Sequence, residues 1–196
     1  MNKYEECRGR MSTGDVIAFS GKGRVSEIIK WKTGSPFSHV GMVLDTDMQG
    51  GIGKAVLLIE STSLNNISDA SHGELLKGVQ MHFLSNRLGS YDGKAWWFPL
   101  KNKLSNHGAH NMQQWLRKKH DERTPYDTIQ AIGAGADLFD WIPGLQTEPD
   151  FSSLFCSELV TRALQIAGVV CEGVNPSEQT PADVVGFECV GQGVEL

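Results

Sequence analysis

No apolar run in the 196-residue chain approaches the ~20 residues that a membrane-crossing helix needs. The longest candidates, Ala55 to Ile59 and Leu159 to Val170, are short or interrupted, so no stable membrane insertion is expected. Met1 to Met11 is polar and charged and lacks the apolar centre of a secretory leader, which predicts a soluble chain without a cleaved export signal. Its expected location is the cytoplasm, or outside the cell through phage lysis or a leaderless secretion system. Basic excess is missing too: 18 basic against 23 acidic residues leave a formal charge of -5, which gives no electrostatic basis for nucleic acid as a partner.

The four cysteines (Cys7, Cys156, Cys171, Cys189) show neither CxxC spacing nor the density of a disulfide scaffold, and they read as reduced thiols. The six histidines are scattered, and His107 with His110 reads as a solvated helix face, so neither metal nor cofactor is expected. There is no repeat, low-complexity tract or linker. With 40% hydrophobic residues, the chain is expected to form one domain over residues 1–196.

Periodicity organises that domain. Asp15 to Phe19 reads as a strand, and Val25, Ile28, Ile29 and Trp31 have helical spacing within Arg24 to Trp31, which stops at Thr33-Gly34. His39 to Leu44 and Ala55 to Glu60 read as strands joined by a glycine-rich loop, an antiparallel hairpin. Pairing Leu44 with Ala55 sets His39 opposite Glu60, both on one face. Val79 to Leu84 and Lys94 to Leu100 extend the sheet to about four or five strands. Helices are expected over Met112 to Lys119, Tyr126 to Leu138 and Phe155 to Ala167, with a loop over Asp140 to Ser153.

Cys156 falls at the start of the last of these helices, behind the Ser152-Ser153 pair that can cap it. Unpaired amides and the helix dipole favour a thiolate there, and the thiolate is the attacking species. A single cysteine is more often inert packing, so the nucleophile reading needs a base and a group to orient that base. His39 and Glu60 supply both on the expected hairpin.

Three segments, Phe37-Ser38-His39-Val40-Gly41, Ile59-Glu60-Ser61 and Phe155-Cys156-Ser157-Glu158-Leu159-Val160, resemble the signature blocks of the YiiX-like permuted papain-fold hydrolases. These are circularly permuted relatives of the NlpC-type cell-wall peptidases. Gly14-Asp15-Val16, Pro125-Tyr126-Asp127 and Pro181-Ala182-Asp183 are similar to lesser elements of that family. The resemblance implies an α+β, papain-like (NlpC-type), circularly permuted fold, with an antiparallel sheet packed against helices and the nucleophile at a helix N-terminus. It implies Cys156 as nucleophile, His39 as base, Glu60 as orienting acid, and a hydroxyl of Tyr126 near the thiol or oxyanion. Tyr126 read on its own is equally a core aromatic.

The expected chemistry is cofactor-free cleavage of amide bonds through an acyl-enzyme, most naturally in peptides of bacterial peptidoglycan. An alternative is a lipid or acyl-conjugate hydrolase or acyltransferase on the same centre. A third reading is a non-catalytic binding module. Phe37, Ser38 and Trp141 are candidate substrate contacts, with Trp31, Ile142 and Leu145 as further candidates for an acyl groove, although such side chains are usually core.

Overall fold

In β1 (Val16–Gly21) both sides of the strand are buried, which is why it reads as an unbroken apolar run and not as an alternation. Val16 and Ala18 enter one core cluster, whereas Ile17 and Phe19 enter a second on the opposite face of the sheet. The computed structural model describes residues 3–46, 55–124 and 152–196. Tyr126, Trp141, Ile142, Leu145, the helix expected over Tyr126 to Leu138 and most of the loop expected over Asp140 to Ser153 lie outside the described residues.

β2 (His39–Asp45), β3 (Leu57–Thr62), β4 (Gly78–Phe83), β5 (Gly93–Phe98) and β6 (Val194–Glu195) complete a six-stranded sheet in the order β4-β3-β2-β1-β5-β6. Every neighbouring pair is antiparallel. Six strands exceed the expected four or five because the chain's last residues, too short to read as a strand, pair with Trp96 and Trp97.

Two helices, α4 (Asn106–Asp121) and α5 (Ser152–Ile166), cover the first face. They place Met112, Leu116, Leu159, Val160, Ala163 and Leu164 against Val40, Met42, Ile59 and Val79. Each fully buried side chain of this kind contributes about 1.5–3 kcal/mol of transfer free energy. A thinner layer closes the second face: α1 (Lys3–Cys7) brings Tyr4 and Cys7, and Met11 and Leu84 join them against Ile17, Phe19 and Leu58.

α2 (Arg24–Thr33) ends as expected at Gly34, whose φ of 60° is left-handed and whose amide bonds the Lys30 carbonyl. α3 (Leu84–Gly89) and α6 (Pro181–Gly186) were not legible as helices. α6 explains the Pro181-Ala182-Asp183 element structurally: Thr180 and Asp183 form a reciprocal capping box with Pro181 at the helix start.

The structure departs from two sequence expectations. The β2–β3 ladder pairs Met42 with Ile59 and Val43 with Leu58, with a bulge before Asp45 meets Leu57. The register is thus two residues away from the expected one, and Glu60 continues the ladder opposite Gly41, not His39. An offset of two preserves the face, so His39 and Glu60 stay on the same side as diagonal neighbours. Secondly, α5 begins at Ser152, so Ser152 and Ser153 are helical and Cys156 sits one turn inside the helix, not at its end.

Candidate active site

β2 starts at His39 because Pro36 excludes helix just before it and Ser38 fastens the strand's entrance. The Ser38 hydroxyl accepts from the Gly21 amide at 3.1 Å, and the Ser38 amide donates to the Phe19 carbonyl at 2.9 Å. Ser38 is buried and committed to β1, which makes it a positioning element and not an open substrate contact. Phe37 packs edge-on against Trp96 and Phe98, with ring centroids 5.2 and 5.3 Å away, so its ring belongs to the core margin. Trp31 stands 78% exposed on α2.

His39 Nε2 lies 2.5 Å from Glu60 Oε2, and both side chains are buried. That contact leaves Nδ1, itself buried with no other hydrogen-bond partner, as the nitrogen free to engage the sulfur of Cys156. The thiol is fully buried and accepts from the Val40 amide at 3.4 Å, which fixes Sγ beside the first peptide of β2. The late helix and the early hairpin therefore meet at this point, with Cys156 and Val40 in one core cluster.

Glu60 is held from a direction that sequence reasoning missed. Arg87 Nε donates to Glu60 Oε1 at 2.6 Å and its Nη2 to Oε2 at 3.4 Å, with the guanidinium 2% exposed. The rings of Phe19 and Tyr91 flank that guanidinium, each centroid 4.8 Å from Cζ. Nothing in the segment Leu84–Gly89 marks it as functional in sequence; the one available signal was an arginine inside a run with apolar Leu84 and Leu88. Beneath the acid, neutral His82 meets Gln80 Oε1 at 2.9 Å, and Gln80 Nε2 donates to the carbonyls of Thr62, Leu64 and Leu76. Burial pushes His82 below its ordinary value, and the nearby Arg87 charge adds to the effect.

Burial alone would lower the His39 pKa, but the Cys156 sulfur, through charge and hydrogen bonding, and the Glu60 carboxylate outweigh it and raise the imidazole to about 10. Glu60 is shifted downward: against the opposing cost of burial, Arg87 and then His39 hold the carboxylate ionised. With Arg87 balancing Glu60, a thiolate and an imidazolium can share the site without net buried charge.

Glu158, two residues beyond Cys156 on α5, is raised to about 7 by burial despite accepting from the Ser177 hydroxyl at 3.3 Å. It thus grips the neighbouring Pro176–Glu178 turn. Asp15, from the Gly14-Asp15-Val16 element, accepts from the Ser12 and Leu100 amides and from the Trp97 indole, and so ties β1 to β5.

No family model matches the sequence. No curated protein matches it either. The architecture nevertheless has a known class: α+β, a six-stranded antiparallel sheet with helices packed on it. Within that class the chain has the fold of YiiX. It is similar to the crystal structure of metalloprotein yiiX from Escherichia coli O157:H7, DUF1105, with a TM-score of 0.55 at 19% identity over 93% of this chain and 96% of that one. Among the described residues no helix is long and apolar enough to cross a membrane.

Proposed function

We propose that this chain is a thiol hydrolase that cleaves amide bonds, with Cys156 as nucleophile, His39 as general base and then acid, and Glu60 as the group that orients the imidazole. The observation that carries the reading is the buried His39–Glu60 contact at 2.5 Å, which commits Nε2 and leaves Nδ1 for the sulfur. This division of the two ring nitrogens is what a base in a nucleophile–base–acid arrangement needs.

In the proposed reaction, the Cys156 sulfur attacks the amide carbonyl while His39 carries the thiol proton. The tetrahedral adduct collapses as the imidazolium donates that proton to the leaving amine, giving an acyl-enzyme. Water, deprotonated by His39, then attacks the thioester and releases the acid, restoring the thiol. Tyr126 enters the proposal as a candidate oxyanion donor, by the family resemblance alone.

Peptide amides of bacterial peptidoglycan are the substrate class that the resemblance to the permuted NlpC-type hydrolases favours. The test is incubation with purified murein and a panel of acylated small molecules, with released products read by mass and Cys156→Ala as the blank. Release of stem-peptide fragments supports the proposal. Release only from acyl esters would replace it with the lipid-directed alternative, and identical product profiles for wild type and Cys156→Ala would defeat the hydrolase reading.

A further inference from the structure

We propose that Asp69, His72 and His120 form a binding site for one divalent transition-metal ion, zinc by the chemistry of the donors. The three residues offer one carboxylate oxygen and two imidazole nitrogens, all within 4.8 Å of one another. Asp69 Oδ1 lies 3.2 Å from His72 Nδ1, Asp69 Oδ2 lies 2.9 Å from His120 Nε2, and the two rings sit 4.5 Å apart. Ligands bound to zinc at ~2.0–2.2 Å in a tetrahedron are themselves roughly 3.2–3.6 Å apart, so small side-chain movements suffice to admit the ion.

The surroundings are those of a prepared site. Asp69 is fixed by the amides of Ser71, His72 and Met81, and its side chain and that of His120 are fully buried, whereas His72 is 22% exposed and gives access from solvent. His120 has carboxylates at both nitrogens: Asp69 at Nε2, and Asp121 Oδ1 at 3.4 Å from Nδ1. Replacing the proton at Nε2 by a cation, with Nδ1–H donated to Asp121, satisfies both and supplies the outer carboxylate typical of metal-bound histidines. Three protein ligands leave the fourth position to water.

The ion would join the segment between β3 and β4 to the C-terminal end of α4, a junction already spanned by the Arg123–Glu74 ion pair. Sequence reading expected no metal because the six histidines are scattered; the fold gathers two of them, since His120 comes to Asp69 and His72 from a distant helix.

The test uses the full chain carrying Cys156→Ala, so that this thiol does not compete for zinc. After chelator treatment it is titrated with zinc by calorimetry, and metal content after desalting is read by mass spectrometry. One ion per chain is expected, with binding weakened at least about tenfold in His72→Ala and in the shape-conserving His72→Asn, and unchanged in His110→Ala. Cobalt in place of zinc should give four-coordinate visible absorption that the His72 variants lose. Absence of stoichiometric zinc in the Cys156→Ala chain, or equal binding after His72 is replaced, would overturn the proposal.

Discussion

Arg87 and Glu60 form a buried two-contact ion pair, with Nε 2.6 Å from Oε1, in which the arginine comes from α3 and the acid from β3. The pair fixes the carboxylate that His39 contacts and offsets its charge. Arg87→Met should therefore cost about 3–5 kcal/mol, because it strands a buried carboxylate. Arg87→Lys should cost less while losing the fork that aligns both oxygens. Combining Arg87→Met with Glu60→Gln should recover part of the loss. Denaturant midpoints of the three variants check this, and a double variant no more stable than the sum of its parts would show that the pair is not coupled.

Gly41 is the site's steric condition. A Cβ there would stand 2.9 Å from Leu58 Cδ1 and 3.1 Å from both Glu60 Cβ and the Ile59 carbonyl oxygen. The backbone oxygen has no room to retreat within a paired strand, so the strain falls on Leu58 and Glu60. Gly41→Ala should destabilise by about 1–3 kcal/mol and displace the acid from His39. Thermal unfolding reads the first effect; amide hydrolysis falling further than stability explains reads the second.

The three signature blocks drew attention to Cys156, His39 and Glu60, and the parity of β2 and β3 put His39 and Glu60 on one face even though the register differed by two. Their residues are legible because each carries strand periodicity and a chemically marked side chain. Arg87 was not, since its role exists only after α3 folds back over Phe19 and Tyr91. The trio of Asp69, His72 and His120 escaped for the same reason. Long-range convergence of polar side chains leaves no local period, whereas the apolar face of α5 declares itself every turn.

His39 and Cys156 can be separated kinetically. If His39 is the base, His39→Ala should slow acylation by about two to four orders of magnitude, while Cys156→Ala should abolish the acyl-enzyme. Rapid quench with an activated amide, read by intact mass, reports the adduct directly. An undiminished burst in His39→Ala would assign the base elsewhere.

The raised pKa of His39, about 10 against an ordinary 6.5, fixes the sign of two pH effects. The folded chain holds this proton more tightly than the unfolded chain does. The stabilisation is therefore complete below the unfolded value, declines as pH rises, and is lost on passing about 10. In the proposed reaction this proton passes to the leaving amine, so kcat should fall along an alkaline limb as His39 loses it. Glu60 contributes to holding the proton, and Glu60→Gln should move that limb to lower pH while retaining part of the activity, because the amide oxygen still accepts from Nε2. Nitrogen NMR of the His39 ring in both proteins measures the titration independently of turnover; coincident titrations in wild type and Glu60→Gln would deny the carboxylate its role.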